Sequence, residues 1–104
     1  MKAYMVVACE IHDRERFIHD YGIPAGRLVE QFGGRYILKG PGAQLLEGSF
    51  GHGGSMVISE WPDRASALAF WNSPEYAEVK KAREGIADVQ VLLIESPDIC
   101  AQED

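Results

Sequence analysis

Two segments near opposite ends of this 104-residue chain, residues 3–11 and 88–95, have the character of strands and are apolar on both sides. Successive side chains of a strand point to opposite faces of its sheet. In the first segment Tyr4, Val6 and Ala8 alternate with Met5, Val7 and Cys9; in the last, Val89, Val91 and Leu93 alternate with Leu92 and Ile94. Helices packed on such a sheet shield one face, and a face left to water would read as polar. The second face therefore needs its own cover. The simplest cover is another copy of the chain, sheet against sheet, which predicts a two-fold homodimer.

Between those segments the chain alternates strand and helix signals. Asp13 is placed to cap a helix whose residues Phe17, Tyr21, Leu28 and Phe32 share one side, with Gly22-Ile23-Pro24 expected to break or bend it and Gly33-Gly34 to stop it. Arg35 to Lys39 reads as a second strand, closed by Gly40-Pro41-Gly42. The Gly-rich connection after it holds Leu45-Leu46-Glu47-Gly48 as a possible short strand. Ser55 to Trp61 is a third strand, ended by Pro62. Asp63 caps a helix over 64–72, and the pair Ser73-Pro74 starts another that runs to Gly85. The order is βαββαβ, an α+β, ferredoxin-like antiparallel sheet with helices on one face. The expected domain spans 1–95, followed by a polar C-terminal tail over 96–104.

The bulk properties narrow the partners. The chain is 46% hydrophobic and 25% charged, ordinary for a globular protein. A formal net charge of −6, with no Lys/Arg cluster interleaved with aromatics, argues against nucleic acid. No run approaches the roughly 20 apolar residues of a membrane span, and Glu10 interrupts the apolar start of the chain before any cleavage site. Cys9 and Cys100 are far apart and fit two idle thiols in a reducing compartment, so a cytoplasmic location is expected.

These segments together resemble the domain-of-unknown-function 1330 family of the dimeric α/β-barrel superfamily. The resemblance runs from Tyr4 to Glu95 through Tyr21 and Pro24, Gly33-Gly34-Arg35-Tyr36, Glu47-Gly48, Glu60-Trp61-Pro62-Asp63-Arg64, Ala67, Trp71, Ser73-Pro74-Glu75-Tyr76 and Arg83. It implies a ferredoxin-like protomer pairing into a dimeric α/β barrel, and no activity. The wider superfamily includes cofactor-free monooxygenases, lactone isomerases, stress-response domains and haem-binding decomposers of chlorite, so fold by itself does not choose a reaction.

Tyr76, Val79, Arg83 and Ile86 fall on one side of the last helix, which places a guanidinium on an apolar stripe. An unpaired charge there is costly, so Arg83 calls for a carboxylate from the protein or from a ligand. Glu47 and Glu60 are the internal candidates, and Glu60 shares its strand face with Met56 and Ile58. Arg35, just after two glycines, suits bidentate carboxylate recognition, either of Glu47 or of a ligand. His52, in Gly51-His52-Gly53-Gly54, is placed to offer an imidazole from a mobile loop, the alternative being a plain flexible connection. His12 and His19 fit solvated surface positions. Trp61 and Trp71 fit core or dimer-interface positions.

No metal signature occurs at a specific spacing, and no cofactor is expected. A haem would need an axial ligand that only His52 or a histidine of the first helix is placed to supply. Two functions follow. One is a protein binding a small acidic organic molecule, or a cofactor-independent enzyme, with Tyr21, Arg35, Glu60, Tyr76 and Arg83 around the substrate and Glu47 or His52 moving a proton. The other is a non-catalytic dimeric, stress-associated or structural module whose polar residues pair internally.

Overall fold

The computed structural model describes residues 1–51 and 53–97. Four strands, β1 (Lys2–Ile11), β2 (Arg35–Gly40), β3 (Ser55–Trp61) and β4 (Ala87–Ser96), form one antiparallel sheet in the order β2-β3-β1-β4. The helices α1 (Arg14–Arg16), α2 (Ile23–Gln31), α3 (Arg64–Trp71) and α4 (Pro74–Lys81) pack on one side. Among the described residues no helix is long and apolar enough to cross a membrane.

Register fixes which side each residue faces. Met5 lies between Ser59 and Leu93, and Val6 between Ile58 and Leu92. Ala3, Met5, Cys9, Ser59 and Trp61 are buried beneath the helices. The opposite face carries Tyr4, Val6, Ile58, Leu92 and Ile94, and there Leu92 and Ile94 stay 63% and 56% exposed in the single chain. The middle of that face is apolar, as the alternation requires, with Arg35 and Glu60 toward one end, and the chain's own helices do not reach it.

The expected caps are in place. Asp13 accepts from the Arg16 N–H at 3.2 Å and Asp63 from the Ser66 N–H at 2.7 Å. The Ser73 hydroxyl accepts from the Tyr76 N–H at 3.0 Å and donates to the Phe70 carbonyl at 2.8 Å, so one buried side chain closes α3 and opens α4.

One local expectation is narrowed and two need correction. Of the two outcomes expected at Gly22-Ile23-Pro24, a break or a bend, the break does not occur: the helical stretch passes through a π-helical segment, Phe17–Gly22, that joins α1 to α2. Pro24 lacks an N–H and its ring crowds the carbonyl four residues back. Widening the helix relieves that crowding: the Ile23 N–H donates to Ile18, five residues earlier. Residues 45–48 form no strand. Gly42, Gly48, Gly51 and Gly53 all have positive φ and keep turning the chain. The last helix stops at Lys81 rather than near Gly85, because the N–H groups of Ala82, Arg83 and Glu84 each donate three residues back and tighten the coil into turns.

The core centres on Trp61, which is 1% exposed and whose indole N–H donates to the Ser59 hydroxyl at 2.9 Å. Its ring lies against Gly34 so closely that a Cβ there would stand 2.8 Å from three ring atoms. Gly34→Ala therefore forces Trp61 to move, at a cost of about 1–3 kcal/mol, the range for overpacking a filled core. The thermal midpoint should fall by roughly 5–20 °C. A midpoint within about 2 °C of the parent by circular dichroism, well under what one kcal/mol would produce, contradicts this account of the contact.

Candidate functional site

Sheet and helices do not close completely on each other. Between them lies a cavity of about 230 Å³, walled largely by apolar side chains from all four strands, the π-helical segment, α2 and the α3–α4 region. Its polar lining comes from Tyr21, Tyr36, Tyr76, Ser59, Cys9 and Lys39. Strand alternation supplies Cys9, Tyr36 and Ser59, since Tyr36 is paired with Ser59 on the helix-facing side. The π-helical segment supplies Tyr21 and α4 supplies Tyr76.

The Tyr21 and Tyr76 hydroxyls are 2.7 Å apart. Nη1 of Arg83 donates to both, at 3.4 and 3.5 Å, with the guanidinium 5.4 Å from the centre of the Tyr21 ring. Among the described residues Arg83 has no ion pair with a carboxylate; the two phenol oxygens take its place. Burial, then the neighbouring Tyr76 and the hydrogen bond to it, push the Tyr21 phenol far above its ordinary range, with Arg83 pulling the other way. Burial and Tyr76 push Tyr36 up to about 12. Both therefore remain neutral O–H donors near pH 7.

Counting protons shows what the site lacks. Tyr21 and Tyr76 carry two O–H protons, and the bond between them uses one. Arg83 contributes only donors. The second proton, and the hydroxyl of Tyr36, have no acceptor among the described residues, and all three rings line the cavity. By contrast, Ser59 is occupied by the Trp61 indole, and the Cys9 thiol points to the Ser55 carbonyl at 3.7 Å. Burial raises the Cys9 pKa, with Arg83 and Arg14 opposing, which makes the thiol a poor nucleophile.

The single cleft expected from sequence divides into two places. Tyr21 and Tyr76 line the cavity, and Arg83 stands against them. Arg35 and Glu60 lie on the opposite face of the sheet, because Glu60 shares the parity of Met56 and Ile58, which point away from the helices. There Glu60 accepts from Arg35 Nη2 at 2.9 Å, Arg35 Nε at 3.0 Å and the Tyr4 hydroxyl at 3.1 Å, with Lys2 Nζ 3.7 Å away. The Arg35 hydrogen bonds foremost hold the Glu60 carboxyl below its usual range. Glu47 is exposed on the connection after β2 and pairs with neither arginine. His52 lies outside the described residues. His12 meets Asp88 at 2.9 Å on the surface. Among the described residues no group of three His, Cys, Asp or Glu side chains is arranged to hold a metal ion.

Sequence reasoning overlooked Tyr36 and Lys39 at the cavity and placed Trp71 only in a core or interface. Parity was the available signal for Tyr36: a residue adjacent to Arg35 in a strand faces the other way. Trp71 also lines the cavity, its ring 5.4 Å from that of Tyr76.

The buried phenols have a measurable signature. Of the four tyrosines, Tyr21 and Tyr36 should ionise well above the ordinary value of about 10, in a separate step visible as late absorbance at 295 nm. A raised folded pKa stabilises the fold fully below the unfolded value and loses that contribution as pH climbs through the folded one. Stability should thus decline from about pH 10 upward. All four phenols titrating together near the ordinary value in folded protein would contradict this burial.

A family model described as a domain of unknown function (DUF1330) matches residues 2–97. No curated protein matches the sequence. Among solved structures, a protein of unknown function from Rhodopseudomonas palustris is similar with TM-score 0.77 and 20% identity, over 93% of this chain and 83% of that one. A dimeric ferredoxin-like protein of unknown function from Jannaschia sp. CCS1 is similar with TM-score 0.70 and 14% identity, over 92% and 100%. SnoaB, a cofactor-independent oxygenase from Streptomyces nogalater, is similar with TM-score 0.67 and 12% identity, over 93% and 94%. Identities this low speak for the shared fold.

Proposed function

The chain belongs to the DUF1330 family, and on that footing we propose that it forms a homodimer whose protomers each bind a small organic acid in the cavity between sheet and helices. The observation that carries the reading is the phenol cluster. Two O–H protons, one from the Tyr21–Tyr76 pair and one from Tyr36, meet a cavity wall with no protein acceptor among the described residues. These O–H groups face cavity space rather than a protein acceptor, and a ligand oxygen placed there gains a hydrogen bond from them. The Arg83 charge behind the pair favours an electron-rich oxygen there, such as that of a phenol or enol, and stabilises negative charge that develops on it. Size agrees: an apolar cavity of about 150 Å³ accepts benzene, so 230 Å³ suits a single substituted ring.

The same donors would stabilise an enolate or phenolate, the kind of anion on which a cofactor-independent reaction starts. SnoaB, a cofactor-independent oxygenase with this fold, is an analogy for that use and assigns no reaction here. Arg35 and Glu60 fit the internal-pair alternative at their own location, and take no part in ligand binding in this reading.

Titration with 4-hydroxybenzoate, followed by tryptophan fluorescence because Trp71 lines the cavity, tests the proposal. Saturable quenching is expected, weakened about 2- to 10-fold in a Tyr21→Phe/Tyr76→Phe double variant that loses the donor, since a hydrogen bond contributes about 0.5–1.5 kcal/mol. No saturable signal in the millimolar range, or equal binding by the double variant, removes the reading.

Pairing rests on the open sheet face with Leu92 and Ile94, and on the dimeric Jannaschia protein. Analytical ultracentrifugation should give about twice the 11.5 kDa chain mass, and a Leu92→Asp/Ile94→Asp variant should sediment as a folded monomer. A monomeric parent at micromolar concentration would overturn the pairing and leave the cavity unaffected.

A further inference from the structure

Lys39 is the one formally charged residue lining the cavity. It is exposed, at the outer part of that lining, and its ammonium sits 4.3 Å from the centre of the Tyr36 ring. No carboxylate of the described residues forms an ion pair with it, although acidic residues outnumber basic ones sixteen to ten in this chain. The cavity thus has two different polar features: phenolic donors deep between helices and sheet, and a lone cation at the solvent side. Resting an ammonium on an aromatic face holds it in place without neutralising it.

We infer that Lys39 is the residue that selects the ligand's carboxylate, so that the preferred ligand is a one-ring acid carrying a second oxygen on the side of the ring away from that carboxylate. The inference rests on the cavity reading above and adds an orientation and a specificity residue to it. Polar groups at two ends of an apolar slot recognise a molecule with polar groups at two ends, and the apolar walls accept the ring. The inner oxygen accepts from the Tyr21–Tyr76 pair and Tyr36. The carboxylate stays at the mouth, where it keeps part of its hydration and meets the Lys39 ammonium. Desolvating a carboxylate fully inside the apolar cavity would cost far more than leaving it at the rim.

The test compares 4-hydroxybenzoate with 4-hydroxybenzyl alcohol, a neutral molecule of nearly the same shape, on the full chain and on Lys39→Met, using the Trp71 signal. The parent should bind the acid about 10-fold more tightly than the alcohol, as expected for a charge-assisted hydrogen bond in a partly wet site. In Lys39→Met that ratio should shrink to about 2 or less, and in the parent it should fall as salt is raised. Lys39→Arg should restore most of it. A parent that binds both equally overturns the carboxylate selection while the cavity reading stands. A Lys39→Met variant that keeps the full preference places the carboxylate elsewhere, and also overturns it. Binding of neither molecule removes both readings together.

Discussion

The pleat of the sheet governs this structure. Because side chains alternate, four strands present two faces, and the chain provides helices for one of them. On that side Trp61, Phe70, Tyr76, Met5 and Val29 make a dry core with ring stacking from Trp61 through Phe70 to Tyr76. On the other, Leu92 and Ile94 of β4 are exposed and Val6 and Ile58 half-buried in the single chain. Placement of every polar group follows from the same alternation. A residue one step along a strand changes not only its neighbours but its whole environment, from interior cavity to the face the helices leave open.

Two arginines show the consequence. Arg35 begins β2 on the open face and has a complete set of acidic contacts through Glu60, which also accepts from Tyr4. Arg83, beyond the end of α4, reaches phenols instead of carboxylates. The first arrangement is self-sufficient, as internal ion pairs are. The second leaves donors unspent: a guanidinium adds protons to a pair of hydroxyls that already has one too many. That surplus is why the cavity, rather than the ion-pair cluster, carries the functional reading.

The helical layer shapes the cavity through one irregularity. Pro24 forces the helix to widen over Phe17–Gly22, and the widened turn holds Phe17 and Tyr21 with their rings 5.1 Å apart while the Tyr21 hydroxyl reaches Tyr76. A helix broken at the proline, one of the two outcomes the local sequence allows, would leave the position of Tyr21 undefined. Here the strain of one residue is resolved within the hydrogen-bond ladder, and the wider turn gives the ring its place at the cavity wall.

Much of the frame was legible in the residues because it rests on local rules. Alternation marks the four strands to within a residue or two, and Asp13, Asp63 and Ser73 announce their helices because short oxygen-bearing side chains satisfy exposed N–H groups there. Parity alone puts Glu60 with Ile58 and Tyr36 opposite to Arg35. What periodicity lacks is any mark of which face the helices choose, since here both are apolar; packing decided that, and with it sent Glu60 and Arg35 away from Tyr21 and Tyr76. Packing also decided that Arg83 meets two hydroxyls, that Lys39 rests on Tyr36, and that residues 45–48 join no strand. Local chemistry fixes which atoms exist and which way they alternate, whereas their partners come from distant parts of the chain and are set only when the layers close.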